Sequence, residues 1–173
     1  MSTLETQRLA FRQITQADAE FIFELYCTDS FKRFIGDKNF QSIEDARQFI
    51  ANSMLKMYET PGLGLMLVEL KPDATPIGIC GLIKRPSLDE IDIGFGFLPA
   101  YEGLGYGLES SRRFVALARD ELHLSRIVAI TNSDNYPCIS LLAKLGFEFV
   151  KVHEALSNEV TLGLYRLSFD GRS

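Results

Sequence analysis

The chain has 173 residues, enough for about one domain with a sizeable core, and its 46% hydrophobic and 24% charged content is that of an ordinary soluble globular protein. A net charge of −5 argues against non-specific nucleic-acid binding, which needs a basic surface; a cationic partner is compatible with it. No apolar run approaches the roughly 20 residues that span a bilayer, so no membrane partner is expected.

In chain order, Arg8–Arg12 reads as a short strand. Thr15 with Asp18 forms a capping-box-like start for a helix whose Phe21, Ile22, Leu25 and Tyr26 share a face. Ser42 with Asp45 repeats that signal, and a second helix runs to about Tyr58. Leu63–Leu70, Ile77–Lys84 and Glu90–Leu98 follow as strands joined by proline-containing turns, an antiparallel meander. Glu102-Gly103-Leu104-Gly105-Tyr106-Gly107 then passes directly into a helix carrying Leu108, Ser111, Val115, Ala118 and Leu122 on one face. Ser125–Thr131 is a buried strand, Asn135 to Leu145 a short helix stopped by Gly146, and Phe147–His153 and Val160–Phe169 are closing strands. The order βααβββαβαββ gives one mixed α+β domain over residues 1–173, without linker or repeat.

The glycine loop carries the strongest functional signal. Glycines at alternate positions allow a tight turn that brings successive N–H groups toward one ligand, and the helix behind them adds the positive end of its dipole. Such a loop suits a phosphate or pyrophosphate. The spacing G-x-G-x-G differs from the dinucleotide fingerprint, and no Gly-Lys-Ser/Thr follows, so a P-loop is excluded. Cys27, Cys80 and Cys138 with His123 and His153 show no metal-ligand spacing, so no metal is expected. An odd cysteine count, and a start without a signal-peptide pattern, point to the cytoplasm.

Three segments resemble the GNAT superfamily of acetyl-CoA-dependent N-acetyltransferases, in particular its ribosomal-protein-acetyltransferase-like (RimJ/RimL-like) branch. They are Leu4-Glu5-Thr6-Gln7-Arg8-Leu9 with Arg12 and Asp18, then Asp92–Phe95 leading through Glu102–Gly107 to Glu109, and Asn135-Tyr136-Pro137-Cys138 with Leu142 and Lys144–Phe147. Glu102 stands where the family loop opens with Gln or Arg, and Leu142 where many members carry a tyrosine acid. The resemblance implies a GNAT-like fold, with a mostly antiparallel twisted sheet flanked by helices. It further implies acetyl-CoA as cosubstrate, direct attack by a primary amine, and, by family habit, a homodimer. Phe97 and Leu98 would pair with the pantetheine arm, Gly103, Leu104, Gly105, Tyr106 and Gly107 would hold the pyrophosphate, and Asn135 would bond the arm or a bridging water.

Asp92 is the candidate base, on a strand face with Gly94 and Gly96 that leaves room for a ligand; the alternative is an ordinary strand carboxylate. Cys138, in a helix first turn where a thiol pKa falls, is the candidate donor to the leaving thiolate; the alternative is a small packing residue. A second reading of the whole chain is a catalytically silent acyl-CoA-binding sensor or scaffold, motivated by Glu102 and the missing tyrosine.

Overall fold

The computed structural model describes residues 4–153 and 161–169. Among these, seven strands form one sheet in the order β1-β2-β3-β4-β5-β7-β6. The strands are β1 (Leu9–Gln13), β2 (Gly64–Leu70), β3 (Thr75–Ile83), β4 (Asp92–Phe97), β5 (Arg126–Asn132), β6 (Glu148–His153) and β7 (Leu162–Ser168). The antiparallel meander β2-β3-β4 is present, and β4 and β5 form the parallel pair. The predicted start of the last strand, Val160, lies outside the described residues.

Two helical layers cover the sheet. On one face lie α1 (Ala19–Tyr26), α2 (Asp29–Phe34), α3 (Ile43–Phe49) and α4 (Leu55–Met57). Ile22 and Leu25 of α1, Phe31 of α2, and Ile50 and Met54 of the segment joining α3 to α4 pack on Leu65, Leu67, Ile79 and Ile83 of the sheet. The second predicted helix is continuous through a π-helical segment, Ile50–Met54, between α3 and α4. The Thr15–Asp18 capping box forms as predicted, with Thr15 N–H donating to the Asp18 carboxylate at 2.8 Å. Asp18 also takes a two-pronged bond from Arg12, tying β1 to the start of α1. The six-residue α2, capped by the Thr28 hydroxyl, is the element that spacing did not reveal.

The other face is covered by α5 (Tyr106–Ala116) and α6 (Tyr136–Leu145). Phe114 of α5 is fully buried and meets Phe11 of β1 edge-on, with ring centroids 5.1 Å apart. Truncating Phe114 to alanine is expected to lower stability by about 3–5 kcal/mol, the usual loss for a core aromatic, read as a reduced midpoint in urea unfolding.

Candidate functional site

The site begins where two neighbouring strands separate. Val128 N–H donates to Ile91 O at 2.9 Å, and Asp92↔Val128 is the paired position between β4 and β5 among the described residues. On its other side β4 is paired with β3 along its whole length. Leu98 N–H donates to Ile77 O at 2.9 Å, which sets the alternation: Asp92, Gly94, Gly96 and Leu98 turn their backbone groups to β3. Phe95 and Phe97 therefore turn theirs into the wedge that opens toward β5. An exposed strand edge of this kind is a template for an extended, amide-containing ligand.

At Leu98 the same geometry commits the backbone to the protein's own chain. Its N–H is bound to Ile77 and its carbonyl accepts from Tyr101 at 2.9 Å, so pairing with a ligand is left to Phe97 and Phe95. The chain then makes a short 3-10 turn, Pro99–Tyr101, and enters the glycine loop. Gly103 and Gly105 have φ of 75° and 87°, the left-handed region that favours glycine. Gly105 is the N-cap of α5, whose first-turn N–H groups lack intrahelical partners. Gly107 is also constrained by packing. A Cβ there would sit 3.0 Å from a Leu141 methyl, so its bare backbone lets α5 approach α6. Glu102 is exposed, and Leu104 and Tyr106 flank the cradle glycines.

Asp92 occupies the first position of β4 and is 2% exposed. Its Oδ2 accepts from Arg85 Nε at 2.8 Å, while Oδ1 is buried with no hydrogen-bond partner. Burial pushes its pKa above the ordinary carboxylate value, against the opposing charges of Arg85 and Lys84. Arg85, on the turn before β4, also acts on the Tyr26 phenol, which burial holds above its usual pKa. A buried carboxylate with one free oxygen and a raised pKa is equipped to take a proton from a cation that reaches it. Neighbouring Glu90 is committed elsewhere, to Arg166 at 2.9 Å and Arg126 at 3.6 Å.

The room expected above Gly94 and Gly96 is filled. A Cβ on Gly96 would lie 2.3 Å from the Phe31 ring, and one on Gly94 would lie 3.1 Å from an Ile83 methyl. Gly96 admits the Phe31 ring of α2, and Gly94 the Ile83 side chain of β3, rather than a ligand. Phe31 therefore packs over Gly96, with Tyr26 against it at a ring distance of 5.0 Å.

Asn135 is the N-cap of α6, and its Oδ1 accepts from Cys138 N–H at 3.4 Å, so its carboxamide oxygen serves the helix. Only its amide N–H groups remain to be offered outward. The Cys138 thiol is held above its ordinary pKa by burial, with Thr131 opposing. The lowering expected from a helix N-terminus is outweighed by desolvation, so the group stays a neutral S–H donor. Leu142 is fully buried in the core and Tyr136 is 72% exposed. His123 adopts a positive φ of 52° after α5, a backbone role. Among the described residues no helix is long and apolar enough to cross a membrane, and no group of three metal-ligating side chains occurs.

The chain matches the acetyltransferase (GNAT) domain model over residues 8–148. It is 34% identical over 147 residues to the uncharacterized N-acetyltransferase YoaA of Bacillus subtilis, covering 84% of this chain and 82% of that protein. In fold it is similar to a GNAT-family acetyltransferase from Bacillus anthracis (TM-score 0.78, 22% identity, covering 96% of this chain and 98% of that one). It is likewise similar in fold to RimL, a ribosomal L7/L12 alpha-N-protein acetyltransferase solved with coenzyme A (TM-score 0.83, 12% identity, covering 99% and 100%).

Proposed function

The chain belongs to the GNAT acetyltransferase family, which uses acetyl-CoA, and from that premise we propose that it acetylates a primary amine in the cytoplasm. The observation that carries this reading is the wedge between β4 and β5, which runs from the free backbone edge at Phe95 and Phe97 to the loop at Gly103 and Gly105. An acyl-pantetheine arm fits the wedge as an added strand, with its diphosphate against the N–H groups of the loop and the first turn of α5. The thioester then lies beside β4, and a Phe97 or Phe95 N–H faces the carbonyl oxygen on which charge develops.

An acceptor ammonium has a pKa near 10, so it must lose a proton before it can attack. Asp92 Oδ1 takes that proton. The amine nitrogen then bonds to the acetyl carbon, the carbon–sulfur bond breaks, and the thiolate takes the Cys138 S–H proton to give free CoA, while the second proton shed by the acetylated nitrogen restores the Cys138 thiol. The products are an N-acetylated amine and CoA. Because RimL acts on a protein N-terminus, peptide N-termini belong among the acceptors to be tried beside small amines.

The deciding measurement is thiol release during incubation with acetyl-CoA and a panel of small amines and N-terminal peptides. Amine-dependent release of free CoA is the expected result. Tight CoA binding without release across the whole panel would favour the silent sensor, the reading that Glu102 and the buried Leu142 support.

A further inference from the structure

The opening segment around Thr6 and Arg8 takes no part in the reaction just described, yet it is built into the back of the glycine loop. Arg8 Nε donates to Glu109 Oε1 at 2.7 Å and Arg8 N–H donates to Oε2 at 3.0 Å. The Thr6 hydroxyl donates to the same Oε2. Held in this way, the guanidinium reaches the loop at three consecutive residues. Nη1 donates to Leu104 O at 3.2 Å, Nη2 lies 3.3 Å from the place a Gly105 Cβ would occupy, and Cζ sits 4.3 Å from the centre of the Tyr106 ring.

The bond to Leu104 O has a directional consequence. Every peptide bond described is trans, so the carbonyl of Leu104 and the N–H of Gly105 point in opposite directions across one plane. With the carbonyl drawn back to Arg8, the Gly105 N–H is aimed out of the front of the loop. The same contact manages charge. Burial raises the Glu109 carboxyl, but the Thr6 hydroxyl and Arg8 outweigh it and hold the group below its ordinary pKa. Glu109 is therefore an anion in the first turn of α5, and Arg8 neutralises it where it would otherwise repel a diphosphate.

We propose that Arg8 is a positioning residue for the acyl carrier: anchored by Glu109 and Thr6, it sets the direction of the Gly105 amide that meets the diphosphate. This rests on the acetyl-CoA reading above, and it gives a loop headed by Glu102 a cation from the residue just before β1.

The test is calorimetric titration of the folded protein with CoA and with pantetheine, which lacks the diphosphate and nucleotide. In Arg8→Gln the preference for CoA over pantetheine is expected to fall at least about tenfold, the scale of one charge-assisted hydrogen bond. Glu109→Gln should lower the same ratio by less, and it carries the test if Arg8→Gln does not fold. Arg8→Lys keeps the charge but not the fork, and should recover only part of the ratio lost in Arg8→Gln. An unchanged ratio, an equal loss for both ligands, or full recovery in Arg8→Lys would each overturn the positioning role. Absence of CoA binding by the unaltered protein would overturn the acetyl-CoA reading itself, and the clamp with it.

Discussion

Asp92→Asn is expected to lower kcat at pH 7 by at least about tenfold, the usual scale of a lost general base. The loss should shrink at alkaline pH, where the amine gives up its proton unaided. In the unaltered enzyme the rate should rise with pH through a value above the ordinary carboxylate range, because burial raises the Asp92 pKa more than Arg85 and Lys84 lower it. The sign for Arg85→Gln follows. Removing a lowering charge raises the Asp92 pKa further, so the acid limb of the kcat/KM profile moves to higher pH while the plateau is retained. Wild-type turnover and an unmoved acid limb in Asp92→Asn would assign the carboxylate to the structure alone, as the partner of Arg85.

Gly105→Val should weaken CoA binding by about tenfold to a hundredfold, the range set by forcing a side chain into the left-handed region. Gly105 has a φ of 87°, and a Cβ there would press on Arg8 Nη2 at 3.3 Å. The substitution therefore strains the loop and pushes away the group that holds its peptide plane. Gly103→Ala is the informative companion. Its φ of 75° carries the same conformational cost, but nothing lies within 4 Å of the added carbon, so a smaller loss is expected. Equilibrium binding of CoA to the three proteins measures the difference. Retained affinity in Gly105→Val would remove the diphosphate from this loop.

Much of the frame was legible because caps, turns and alternation are local. Thr15 with Asp18 and Ser42 with Asp45 announced helix starts within four residues, and both caps form. The tight turn at Gly103 and Gly105 was legible for the same reason, since positive φ is a property of single residues. Other constraints on the same segment come from distant neighbours. Gly107 lacks a side chain on account of Leu141, thirty-four positions on, and Leu98 spends its backbone on Ile77 and Tyr101. Asn135 and Cys138 were located correctly at the head of α6, but whether the oxygen and the thiol are available depends on capping and burial that spacing does not display.

Strand order, every main helix but α2, the single α+β domain and the resemblance to acetyltransferases came from the amino-acid sequence by itself, since each rests on short-range torsional preference or on contiguous motifs. Tertiary structure alone decided that β4 and β5 part company after Asp92, that Phe31 takes the space above Gly96, and that Arg85 leaves one oxygen of Asp92 bare. It also joined Arg8 to Glu109 across 101 positions. The physical reason is common to all four. Desolvation and hydrogen-bond commitment are set by neighbours in space, and no periodicity along the chain records who those neighbours will be.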